Sequence, residues 1–224
     1  MELILFTSRI GQAISAEMQI VFFFATFICL TISAPTVEDA GIANDIADFL
    51  EIIPIEKIKK IAIQHLHDDP EFQAAIQYIK SPEFVAMMAE LHTQPEIMEL
   101  KDFLRAAGIN LDKYGGIFCS FLQEVNVTTD HKVKSLKKFV DDVKNIMPMA
   151  KLIQTFDVKM SSSPAFKEFY TKISSDVAHK LISKVRALPI FQRIIAEFNN
   201  MGVDLNRYFK IAYAVFGWED DIPQ

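Results

Sequence analysis

The stretch from Pro54 to Gly108 returns with the same punctuation from Pro148 to Gly202, at an offset of 94 residues at both ends, 148 less 54 and 202 less 108. At that one shift, and without a gap, Pro70 falls on Pro164, Phe72 on Phe166, Ile79 on Ile173, Ser81 on Ser175, Pro95 on Pro189, Leu111 on Leu205 and Tyr114 on Tyr208. Chance does not keep so many breaks and anchors in register, so the chain is one structural unit written twice. Any account of function must explain why two copies are wanted.

Within each copy the apolar spacing is helical. Phe72, Ala75, Ile76 and Ile79 stand at i, i+3, i+4 and i+7, and Phe166, Phe169, Tyr170 and Ile173 occupy the same places in the second copy, which predicts an amphipathic helix in both. Asp69-Pro70, Ser81-Pro82, Gln94-Pro95 and Ser163-Pro164 put proline at the first helical position, three of them behind a side chain able to cap. The stops repeat too: Gly108-Ile109-Asn110 matches Gly202-Val203-Asp204, a glycine free to turn left-handed, an apolar residue to pack back and an Asx cap for the next helix. The predicted fold is all-α, with helices at about 38–52, 55–67, 70–80, 82–92, 95–107 and 110–123 in repeat 1 (about 38–123). In repeat 2 (about 132–216) they fall at about 132–146, 149–160, 164–174, 176–187, 190–201 and 204–216. No segment alternates as a strand would.

Half the chain is apolar, which excludes disorder as its general state. The formal charge of −6 and the lack of a Lys/Arg stripe exclude nucleic acid as a partner. The unbroken run of apolar and small residues from Ile20 to Ala34 (IVFFFATFICLTISA) is too short for the roughly 20 residues of a membrane span and ends in small residues before Pro35. It predicts a signal peptide over residues 1–33, cleaved near Ser33 or Ala34, and one domain over 34–217. Met18 is an alternative start, which would make residues 1–17 a mis-called extension, and an uncleaved anchor is the competing reading of the same run. Cleavage would leave Cys119 alone in Gly-Ile-Phe-Cys-Ser-Phe-Leu, with no internal disulfide and no His or acid beside it, as a buried small hydrophobe. Asn126-Val127-Thr128, in the link Glu124 to His131, is a sequon for glycosylation at Asn126. The acidic tail from Trp218 to Gln224 is expected to fray or to cover one end of the bundle.

No catalytic constellation stands out in the sequence. His65 and His67, two apart on a helix, point to nearly opposite faces and cannot share a metal, so both read as surface histidines. Asp68-Asp69 and Asp141-Asp142 read as solvated charges flanking helix ends. There is no Gly-rich phosphate loop, nucleophile elbow or CxxC in the sequence. The expectation is therefore a protein with no catalytic residue, metal or cofactor. Bulky apolar surface is what abounds: fourteen of the 19 phenylalanines lie beyond Ser33, with seven methionines. Periodicity alone fits equally a filled core and an apolar chamber with Met-softened walls.

The blocks DFLEIIPIEKI, DPEFQAAIQYIKSPEF, LHTQPEI and FLRAAGINL resemble the insect-allergen-related repeat found in cockroach group 1 allergens, mosquito midgut microvillar proteins and the nitrile-specifier proteins of white butterflies. The likeness covers about residues 40–217, and the second copy keeps the anchors while its text has drifted. It implies two repeats closing around one apolar cavity that carries fatty acids or phospholipids, since one curved helical layer would expose its apolar face. In repeat 1 the implied wall is Phe49, Ile53, Ile58, Ile61, Phe72, Ile76 and Ile79, then Phe84, Met88, Leu91, Ile97, Leu100 and Leu104. In repeat 2 it is Phe139, Val143, Met147, Leu152, Phe156, Phe166 and Phe169, then Ile173, Leu181, Val185, Phe191, Ile194 and Phe198. Ala178 and His179 replace Phe84 and Val85 of the first copy, so that wall would be uneven. The resemblance transfers no catalytic motif. It implies a secreted, non-enzymatic lipid-binding protein of the insect gut lumen or microvillar surface, with peripheral membrane contact possible and oligomeric state open. Nitrile-specifier-like detoxification and membrane lysis by lipid exchange are the alternatives it leaves.

Overall fold

Most of the helices start where the chain supplies a side-chain cap or a proline. In a computed structural model, residues 40–109, 122 and 124–218 are described; the predicted helix at 110–123, Cys119, the N-terminal apolar run and the tail beyond Trp218 lie outside the described residues, apart from the helical positions 122 and 124. The first copy contributes α1 (Ala40–Ile52), α2 (Ile55–Asp68), α3 (Pro70–Ile79), α4 (Pro82–His92) and α5 (Pro95–Ala106). The second contributes α6 (Lys137–Ile146), α7 (Met149–Ser162), α8 (Pro164–Ile173), α9 (Asp176–Ala187), α10 (Pro189–Asn200) and α11 (Leu205–Phe216). No strand occurs among the described residues.

Position-matched caps adopt matched backbone. Pro54 before α2 has φ −80°, ψ 64° and Pro148 before α7 has φ −81°, ψ 66°. Asp69 accepts from the N–H groups of Glu71 and Phe72, and its counterpart Ser163 accepts from that of Phe166. Ser81 and Ser175 cap α4 and α9 in the same way. Gln94, which the sequence leaves without capping reach, caps nothing with its side chain. Gly108 and Gly202 both turn left-handed, at φ 92° and 81°, and the next N–H closes back on Leu104 and Phe198 at 2.8 and 2.9 Å.

One start departs from the helical pattern. Helicity expected from 132 begins only at Lys137, because the linker's polar groups are already engaged on the other copy's α3. The N–H of Thr129 donates to Gln77 Oε1 at 2.8 Å, that of Ser135 to the Glu71 carbonyl at 3.1 Å, and the Lys80 ammonium to the Val125 carbonyl. The N–H of Leu136 closes onto the Met201 carbonyl at 2.8 Å. These tertiary bonds satisfy donors that a helix would otherwise have to satisfy.

The two copies are not separate bundles. α1 packs on α7 and α8 of the other copy, and α6, its counterpart, packs on α2, with Phe139 of α6 against Phe72 of α3. Likewise α4 packs on α10 while α9 packs on α5. Each exchange has its partner at the 94-residue offset, so the copies interlock reciprocally.

At Gly108 a Cβ would stand 2.7 Å from Cγ2 of Ile42 on α1, whereas at Gly217 (φ 71°) it would meet nothing within 4 Å. Left-handed strain is common to both; the clash is not. Urea unfolding should show Gly108→Ala costing about 3 kcal/mol and Gly217→Ala about 1 kcal/mol.

Candidate functional site

The reciprocal packing gathers the apolar faces of both copies into one cluster. Phe49 of α1 stacks on Phe166 of α8 with centroids 5.6 Å apart, and Phe72 meets Phe139 of α6 at 5.0 Å. Phe84 of α4 reaches Phe198 of α10 at 6.1 Å. Pairs of this geometry add to the burial of each ring. Of the positions expected to form the wall, Ile61, Met88, Ile97, Leu100, Leu104, Phe156, Phe169, Ile173, Phe191 and Phe198 are half-buried and all the others are buried. The shared cluster takes in most of them, but Leu100, Leu104, Ile173, Leu181 and Val185 stand outside it. It also holds Ile42, Met87, Val140, Met149, Ile190 and Met201, which the expected wall omitted. Ile190, four residues before Ile194, carried the helical signal that would have found it.

Two polar clasps flank this interior at matched places. On one side Lys159 of α7 reaches across to α1, 2.7 Å from Asp45 and also paired with Asp48, while Ser163 donates to Asp45 at 2.5 Å. On the other, His65 of α2 lies 2.9 Å from Asp142 of α6 and 3.3 Å from Asp69. His65 is the counterpart of Lys159, Asp142 of Asp48, and Asp69 of Ser163. The hydrogen bonds that the Lys159 ammonium donates to Asp45 and Asp48 raise it above its ordinary pKa. Burial alone would raise the Asp69 carboxyl, but the Phe72 N–H, His65, the Lys138 charge and the Glu71 N–H together hold it below the ordinary carboxylate range.

Three readings of the sequence change here. His65 is not a surface histidine: both ring nitrogens are engaged and the ring packs 5.4 Å from Phe72 and 5.9 Å from Phe139. Asp69 is not solvated but buried as the cap of α3. Asp141 and Asp142 lie inside α6 rather than at its end. His67, in contrast, is exposed and its pKa is raised by the hydrogen bond to Asp68. A shallow groove of about 260 Å³ runs over this clasp, lined by Gln64, His65, Asp68, Asp69, Pro70, Lys138 and Asp142. Among the described residues no group of three or more His, Cys, Asp or Glu is placed to hold a metal.

A second, smaller aromatic cluster lies between α9 and α11. Ala178, Tyr213 and Trp218 are buried there, with Phe103 of α5 and Phe216 packed against them. Trp218, the first residue of the tail expected to fray or to cover one end of the bundle, is buried and donates Nε1–H to the Ser174 carbonyl at 2.9 Å. Leu181 and Val185 follow Ala178 at i+3 and i+7 and are buried on the same face of α9. Arg186, which no sequence motif marks, is also buried here. The sequon asparagine, Asn126, is exposed. No helix among the described residues is long and apolar enough to cross a membrane.

Residues 41–209 match the model of a family described as insect allergen related repeat, nitrile-specifier detoxification. The chain is also 23% identical over 193 residues to Protein G12 of Anopheles gambiae, covering 83% of this chain and 90% of that protein.

Two substitutions test the clasps. Asp69→Asn keeps the cap but removes the charge. Because the carboxyl is held below its ordinary value of 3.8, its contribution is full above that pH and disappears as pH falls through the depressed value. Chemical unfolding should therefore find Asp69→Asn less stable than the parent by about 1–2 kcal/mol at pH 7, with the gap closing as pH falls below the ordinary carboxylate value. Lys159→Met leaves Asp45 buried without its cation and should cost about 3 kcal/mol, most of it recovered in Asp45→Leu/Lys159→Met; a double-mutant cycle reads both.

Proposed function

The chain belongs to the insect allergen related repeat family, and from that premise we propose that it is a non-enzymatic carrier of fatty acids or phospholipids, held in an apolar interior that both copies build. The observation that carries this reading is the shared cluster itself, in which α1 and α6 each lie on the other copy's helices and bring Phe49, Phe166, Phe72 and Phe139 inward. An interior lined by phenylalanine, isoleucine and methionine suits an acyl chain, whose burial is favourable by roughly 0.8 kcal/mol per CH₂ without any specific polar contact. Duplication then has a purpose, because neither copy could shield such a guest from water alone. The same reading has the protein secreted into the gut lumen or held at the microvillar surface, with the exposed Asn126 glycosylated.

The family's description also names nitrile-specifier detoxification, which makes that activity the second reading. Unchanged product ratios on adding the protein to a glucosinolate hydrolysis assay would remove it. For the carrier reading, protein purified without detergent should release acyl species on organic extraction and, once stripped, take up added fatty acid. If extraction yields no acyl species and the stripped protein takes up none, the carrier reading fails.

A further inference from the structure

Arg186, near the end of α9, is 7% exposed, and its Nε is shut off from solvent without a hydrogen-bond partner. Its guanidinium lies 4.7 Å from the centroid of the Phe209 ring and 5.3 Å from that of Tyr213. No described carboxylate forms an ion pair with it. Ring quadrupoles answer part of a buried positive charge, but a guanidinium presents its donors in a planar fork. Leaving its Nε–H dry and unmatched is unfavourable. The group that satisfies it together with a neighbouring arm of the fork is an anion with two oxygens in one plane.

A second orphan lies against the same tyrosine. His179, seven residues earlier on the same face of α9, stacks on Trp218 at 4.9 Å and meets Tyr213 edge-on at 5.2 Å. Its Nε2 is also buried without a partner. Phe209 in turn touches Phe191 at 5.9 Å, and Phe191 packs against the shared cluster. The arginine therefore stands where the small aromatic cluster meets the large apolar interior. The arrangement exists once: the positions matching His179 and Arg186 in the first copy are Val85 and His92, both exposed.

Resting on the carrier reading, we propose that Arg186, with His179 two turns earlier on the same helix face, seats the carboxylate of a fatty acid whose chain runs past Phe209 and Phe191 into the shared cluster. The ligand enters with its charge at one end, so this end of the interior is the polar one. The seat selects an acid over the alcohol of equal chain length, because only the carboxylate can close both arms of the guanidinium fork.

The test compares oleate with oleyl alcohol on the parent protein, Arg186→Met and Arg186→Lys, with circular dichroism and Trp218 fluorescence confirming the fold. The parent should prefer oleate, and Arg186→Met should weaken oleate about 10-fold or more while leaving the alcohol within about 2-fold, with Arg186→Lys between. Arg186→Met binding oleate as the parent does, or losing both probes equally, overturns the seat. Should Arg186→Met fail to fold, carboxyl-labelled oleate on the parent decides by NMR: its carboxyl should titrate below that of free oleate, and titration at or above the free value overturns the proposal. A parent that takes up neither probe overturns the carrier reading itself, whereas equal uptake of acid and alcohol overturns the seat alone.

Discussion

Phe72 and Phe166 hold the same place in their copies, and each is covered by the first helix of the other, through Phe139 and Phe49. The rest of the structure depends on this exchange. A helix the length of α2 or α7 is marginal in water by itself and is held mainly by the burial of its apolar face. Here that face is buried by residues far along the chain, 77 positions away at His65–Asp142 and 111 at Asp48–Lys159, so neither copy can complete its own core. Reciprocal covering also explains why the breaks had to stay in register: a slip in one copy would misplace a lid on the other.

Around that apolar exchange the polar residues have diverged in a correlated way. Position 45 holds a buried aspartate and its counterpart, 139, a phenylalanine. Opposite the aspartate stands Lys159, a cation at every pH of interest; opposite the phenylalanine stands His65, whose ring packs edge-on against it. A buried carboxylate needs a permanent partner charge, whereas a ring beside a ring needs chiefly shape and area. The two clasps therefore join the same helices by different chemistry, and the matched acids Asp48 and Asp142 are what they retain in common.

The helix starts were legible because their causes are local. Asp69, Ser81, Ser163 and Ser175 each reach an N–H two or three residues ahead, and proline at the first position removes a donor that had no partner. The late start of α6 was not legible, since Thr129, Ser135 and Leu136 spend their N–H groups on Gln77, Glu71 and Met201 rather than on a helical turn. His65 was not legible for the same reason: on α2 alone it faces solvent, and only α6, bringing Phe139 and Asp142 against it, joins it with the α3 cap Asp69 in a clasp. Trp218 lies past the last helix, in a tail that composition leaves either to fray or to cover one end of the bundle, and its place is fixed by His179 and Ser174 about forty positions back.

What the sequence determined by itself was the number and order of amphipathic helices in the described residues, their caps and the fact of duplication, because each rests on residues within a turn or two of one another. Which helix covers which, where a charge is shut away from water, and that Arg186 sits among aromatic rings with an unfilled donor were decided only in the tertiary structure. Burial is a property of the whole packed interior, and the partners that confer it lie far along the chain, beyond the reach of any local period.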